Sequence, residues 1–137
     1  MALNKLTDEL AVAGQIYSTD IPVLAAEGIR AIICNRPDGE APDQPSFREI
    51  EQAAALQGIE ILYQPIQPGG IGDAEVLAFE KAVSDLPQPV LAYCRTGTRC
   101  TALWSLSEAG KRPIEEILER AMTAGYDMSS LASRLQK

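Results

Sequence analysis

The chain has 137 residues, 46% of them hydrophobic, and its 12 Lys and Arg against 19 Asp and Glu give a formal net charge of −7. That length and apolar share suit one domain, residues 1–137, with a core that needs no staples. The acidic balance, without any basic tract, excludes nucleic acid and an anionic membrane surface as expected partners, so any anion site must be local.

Strand and helix signals alternate along the chain. Residues 9–14, ELAVAG, read as a short strand ending at Gly14. Ser18 or Thr19 is expected to cap a helix over residues 20–27, DIPVLAAE, which Gly28 stops. Residues 29–34, IRAIIC, are β-branched and nearly all apolar, the pattern of a strand buried on both faces. Residues 35–45, NRPDGEAPDQP, form a loop by their Pro, Gly and Asp content. Ser46 and Glu49 make a capping box for a helix that places Phe47, Ile50 and Ala54 on one face and ends before Gly58. Residues 59–63, IEILY, are the next strand, and 64–72, QPIQPGGIG, a loop. Asp73 is the expected cap of a helix carrying Val76, Phe79 and Val83 on one side. Residues 89–94, PVLAYC, are the last strong strand. A helix over 101–110, TALWSLSEAG, closes at Gly110, and Pro113 opens another, IEEILERAM. A short helix from Ser129 or Ser130 completes the chain.

This order predicts an α/β domain with a mostly parallel central sheet flanked by helices on both faces. In such sheets ligands sit outside the carboxyl ends of the strands. Residues 92–101, AYCRTGTRCT, lie at one of those ends, between a buried strand and a helix start. There the backbone N–H groups are free and the helix dipole adds positive charge. Gly97 permits the left-handed angles that curl successive amides into an anion nest. Arg99 can close over a tetrahedral oxyanion as a bidentate fork. The same field favours thiolate over thiol at Cys94, which makes it the candidate nucleophile. Arg95, Thr96, Gly97 and Thr98 form the expected substrate cradle, and Arg36, at another strand's carboxyl end, is a further candidate to line it. Cys100 reads as a small packed residue, with a resolving thiol for oxidised Cys94 as the alternative. Cys34 and Trp104 read as core.

The chain has no histidine, so Ser/His and Cys/His catalysis are excluded and a metal site is not expected. Three cysteines do not suggest a disulfide framework. No stretch approaches the ~18 apolar residues of a membrane span. The start, MALNKLTDEL, lacks the pattern of a secretory signal. A cytoplasmic chain with reduced thiols is the expectation.

CRTGTR resembles the active-site loop of rhodanese-type sulfurtransferases, C-R-x-G-x-R or C-R-x-G-x-T. Upstream, residues 8–40, DELAVAGQIYSTDIPVLAAEGIRAIICNRPDGE, resemble the dual-specificity protein tyrosine phosphatases. Together these features, over residues 3–110, resemble the DUF442 family, or beta-lactamase-hydrolase-like phosphatase-like domain. Its members are small bacterial proteins or domains fused to persulfide dioxygenases. The resemblance implies a dual-specificity-phosphatase-like fold. The phosphatase signature is H-C-x-x-G-x-x-R; here Tyr93 stands in the place of the His, Arg99 comes one position early, and Cys100 occupies the arginine's place. A shorter loop implies a smaller cradle, suited to a sulfane sulfur. The expectation is therefore a thiosulfate- or persulfide-using sulfurtransferase. Cys94 would carry a persulfide with no cofactor, and the resemblance implies a link to persulfide dioxygenase. The first alternative is a cysteine phosphatase acting on a phosphate ester through a phosphocysteine, with Asp73 as general acid and Asp38 and Asp43 as weaker candidates. The second is a non-enzymatic anion-binding or thiol redox-sensing module.

Overall fold

The computed structural model describes residues 3–136. Its centre is one sheet of five strands, β1 (Asn4–Lys5), β2 (Leu10–Ala13), β3 (Ala31–Cys34), β4 (Glu60–Tyr63) and β5 (Val90–Tyr93), in the order β1-β2-β5-β3-β4. β2, β5, β3 and β4 are parallel, and β1 pairs antiparallel on β2. The sheet is thus mostly parallel, as its sequence pattern predicts. Ala13, Tyr93, Cys34 and Tyr63 lie in register and form the last row at the carboxyl ends. The two-residue β1 has no alternation to read, and the sequence gives no sign of it.

Five helices cover the sheet: α1 (Ile21–Ala26), α2 (Phe47–Leu56), α3 (Asp73–Asp85), α4 (Thr98–Ser107) and α5 (Ile114–Thr123). Every residue of β2, β3 and β5 is buried. Their period of two splits the side chains between two layers. Ala11, Ile32, Cys34, Leu91 and Tyr93 meet Ile21 and Leu24 of α1 and Ile50 and Ala54 of α2. Val12, Ile33, Val90 and Ala92 meet Phe79 of α3, Leu103 and Trp104 of α4 and Ile117 of α5.

Packing overrides local capping signals here. A cap is worth about 1 kcal/mol, whereas burying one Leu or Ile contributes about 1.5–3 kcal/mol. Neither Ser18 nor Thr19 caps α1; residues 18–20 form a 3-10 turn whose Asp20 carboxylate accepts the Tyr17 N–H at 2.8 Å. Ile21 and Leu24, both fully buried, hold α1 in place. Ser46 does cap α2, accepting the Glu49 N–H. At α3 the cap is Gly72, whose N–H is taken by Glu75 at 2.9 Å, and Asp73 is the first helical residue instead of the expected cap. α4 begins at Thr98, three residues earlier than its apolar pattern suggests, because Gly97 at φ +91° turns the chain directly into the helix. The C-terminal residues 129–135 are wound as 3-10 helix, with Leu135 buried.

Candidate active site

The site forms where β5 ends. Tyr93 points into the layer of α1 and α2, and Cys94, one residue later, into the layer of α3 to α5. The loop remains tied to β2 past the strand: Cys94 N–H donates to Ala13 O at 3.3 Å and Gln15 N–H to Arg95 O at 3.2 Å. A Cβ on Gly14 would sit 3.0 Å from that Arg95 carbonyl, so a larger residue would push the loop outward. Gly97 then takes left-handed angles and donates its N–H to Cys94 Sγ at 3.1 Å.

The buried Cys94 sulfur is surrounded by donors. The Cys100 thiol is the strongest, joined by the backbone N–H groups of Cys100, Gly97 and Thr96; against the opposing effect of burial they bring the Cys94 pKa from 9.0 down to about 5. Cys94 is therefore a thiolate at neutral pH. Burial pushes the Cys100 thiol well up, so it stays protonated and donates. Cys34 is raised by burial, gives its S–H to Arg36 O at 3.3 Å and lies in the core, as does Trp104. The three cysteines are all free thiols.

Arg99, on the first turn of α4, has five donor hydrogens. Its Nη1 and Nη2 grip the two oxygens of Glu40 at 2.7 and 2.8 Å, and Nη1 also reaches Ile66 O at 2.8 Å. That uses three donors. The Nε–H and the second Nη2–H, which lie on one edge of the guanidinium, have no partner among the described residues. They form the parallel pair that suits an oxyanion. Glu40 is gripped a second time by Arg36 Nε at 3.0 Å, and Arg36 Nη1 reaches Gln15 Oε1 at 3.0 Å. Arg99 first and Arg36 second hold the Glu40 carboxyl below the ordinary carboxylate range. Arg36 is thus brought to the site, as the second support of Glu40. Glu40 itself went unread in the sequence, because its partner is 59 positions away in a loop of unremarkable polar residues.

Arg95, Thr96 and Thr98 are exposed around the loop, with the two threonine hydroxyls 2.9 Å apart. Asp73 is the first residue of α3 and, among the described residues, makes no side-chain hydrogen bond to residues 94–99. It lines a surface cleft with Val76, Leu77, Leu106 and Arg134. Leu106 is eight residues beyond Thr98, about 12 Å along the α4 axis. Asp38 is committed elsewhere, its carboxylate accepting the Phe47 N–H at the start of α2 at 2.8 Å. Asp43 is exposed in the loop after β3. Among the described residues no cluster of Cys, Asp and Glu is arranged to hold a metal ion. None of the described helices is long and apolar enough to cross a membrane.

Residues 2–111 match the family described as beta-lactamase hydrolase-like protein, phosphatase-like domain. The chain belongs to this family. A beta-lactamase hydrolase-like protein of Agrobacterium fabrum is 33% identical over 139 residues, covering all of this chain. The chain spans about a third, 32%, of that relative's length. The crystal structure of a candidate phosphatase from Neisseria meningitidis is 39% identical, covers 98% of this chain and 96% of that one, and superposes with a TM-score of 0.91. Two more distant neighbours share the fold: Tk-PTP in its active form, at 18% identity, 98% and 92% coverage and a TM-score of 0.70, and Pseudomonas aeruginosa TpbA, solved with phosphotyrosine, at 17% identity, 96% and 80% coverage and 0.67.

These likenesses overturn the sulfurtransferase reading: the domain is phosphatase-like, and neither thiosulfate nor persulfide finds support as its substrate. The Cys-to-Arg spacing does not measure the size of the cradle. In the structure Gly97 closes the loop and Arg99 is already on the helix. Moving the arginine by one position therefore carries it about 100° around α4 without shrinking the ring of amides. The place it vacates is filled by Cys100, turned inward as a donor to the thiolate.

Proposed function

We propose that this domain is a cysteine-dependent phosphate monoester hydrolase working through a phosphocysteine on Cys94. The observation that supports it most is a thiolate of pKa about 5 at the floor of a loop of amides, beside an arginine with one free edge. Cys94 Sγ attacks phosphorus, the S–P bond forms and the bond to the ester oxygen breaks. The amides of residues 95–99 and the free edge of Arg99 take the equatorial oxygens, where negative charge is held through the transfer. Water then displaces the thiolate and inorganic phosphate leaves.

Among the described residues Glu40 is the one carboxylate hydrogen-bonded to residues 94–99, and two guanidinium groups keep it ionised. It is a support for Arg99 and not a proton donor. The reading therefore favours esters whose leaving group departs as a stable anion, aryl phosphates first.

The test is turnover of p-nitrophenyl phosphate with intact-mass analysis after acid quench. Wild type should hydrolyse the ester and gain one phosphoryl group, and Cys94→Ser should do neither. Arg99→Lys should lose about a hundredfold in kcat/KM, as expected when oriented oxyanion donors are removed. Asp73→Asn should stay within about twofold, since Asp73 makes no hydrogen bond to residues 94–99 among the described residues. Hydrolysis that survives Cys94→Ser would sink the reading.

A further inference from the structure

The peptide unit joining Thr96 to Gly97 is one rigid plane with its C=O and N–H pointing in opposite directions. Both ends are occupied. The N–H donates inward to Cys94 Sγ at 3.1 Å. The C=O accepts outward from the Tyr126 hydroxyl at 2.9 Å. Tyr126 follows α5 and lies beyond the residues matched by the family. It packs so closely that a Cβ on Gly97 would stand 2.1 Å from its oxygen. Asn4 of β1 donates in turn to that oxygen, at 3.5 Å. Donors therefore run head to tail from Asn4 through Tyr126 and the peptide plane to the sulfur, an arrangement in which each bond polarises the next.

We propose that Tyr126 is a positioning residue for the nucleophile: by holding the Thr96 carbonyl it fixes the peptide whose N–H supports the Cys94 thiolate. The inference rests on the reading of Cys94 as nucleophile and adds a residue from the C-terminal segment to its machinery. The titratable and charged groups acting on the sulfur are Cys100 and Arg99 on α4 and Tyr126, with Cys34 at the end of β3 acting from across the sheet. Tyr126→Phe removes a neutral hydroxyl and leaves the others in place.

The experiment measures the rate of Cys94 alkylation by iodoacetamide against pH, in wild type, Tyr126→Phe and Tyr63→Phe, with thermal unfolding of each. Tyr63 is the control, since its hydroxyl accepts the Asp38 N–H outside this chain of donors. Tyr126→Phe should move the apparent pKa of Cys94 upward by about half to one pH unit, the scale of one neutral hydrogen bond. Tyr63→Phe should leave it unmoved. An unchanged profile in Tyr126→Phe, even with lowered stability, would mean that Tyr126 only packs, and equal shifts in both variants would also overturn the proposal. Alkylation needs no turnover. A thiol that titrates as described in a protein inert toward phosphate esters would defeat the proposed reaction and leave the role of Tyr126 standing.

Discussion

Replacing Glu40 with glutamine probes the support of the arginine. The side chain is nearly isosteric, yet it loses the charge that faces Arg99 and Arg36 and turns an N–H₂ group toward their donors. The side chains are 16% exposed at Glu40, 12% at Arg99 and 5% at Arg36, so the trio is largely shielded from water. Removing one partner of a buried pair costs about 3–5 kcal/mol; residual exposure and one retained hydrogen bond bring this to about 2 kcal/mol. For a chain of this size that lowers the melting midpoint by about 8 °C. The effect has a pH signature. Glu40 titrates below the 4.5 of an unperturbed glutamate, chiefly because of its hydrogen bonds from Arg99. A carboxyl group depressed by folding contributes stability above its unfolded pKa and loses it as pH falls through its folded pKa. The gap between wild type and Glu40→Gln should be full at pH 7, shrink below pH 4.5 and close as Glu40 protonates. Urea unfolding across that range reads it directly. No gap at pH 7, or a gap undiminished at the lowest pH where both proteins fold, would refute the reasoning.

Cys100→Ala should raise the Cys94 pKa by about one unit in an alkylation profile, while Cys100→Ser, which keeps a donor, should change it little. Gly97→Ala meets both a left-handed backbone angle and the Tyr126 oxygen, and should lose about 2–5 kcal/mol in chemical denaturation; restoring space with Tyr126→Ala recovers only the steric part. Asp38→Ala removes the acceptor of the Phe47 N–H and should cost about 1 kcal/mol of stability with aryl phosphate turnover unchanged, because Asp38 serves α2 and not the chemistry.

The low-pKa thiol of Cys94, the turn at Gly97 and Arg99 at the helix start were legible because they lie within six residues at a strand end, where local geometry dictates what the backbone can present. β3 and β5 were legible for a similar reason: a strand buried on both faces is an unbroken apolar run. Glu40 and Tyr126 were not, since each acts through a partner far along the chain, 59 residues to Arg99 and 30 to Thr96. A Glu in a Pro-rich loop and a Tyr after a glycine carry no local pattern that marks them. Asp73 stands out for the opposite reason. An acid at the start of a helix is conspicuous in sequence, whereas the carboxylate that grips Arg99 is Glu40, from another loop.

The change of layer between Tyr93 and Cys94 makes the position of the Cys94 sulfur a matter of parity. Tyr93 is anchored beside Cys34 on one side of the sheet, and Cys94 faces Cys100 on the other. A single residue inserted within Val90–Tyr93 would exchange the two faces, sending the thiol toward α2 and the phenol toward the loop. Two inserted residues would restore the sense and shift it by two rows. The loop can therefore vary in its side chains, and even in where its arginine falls, while the length of the strand beneath it is fixed to the even or odd count that aims the sulfur.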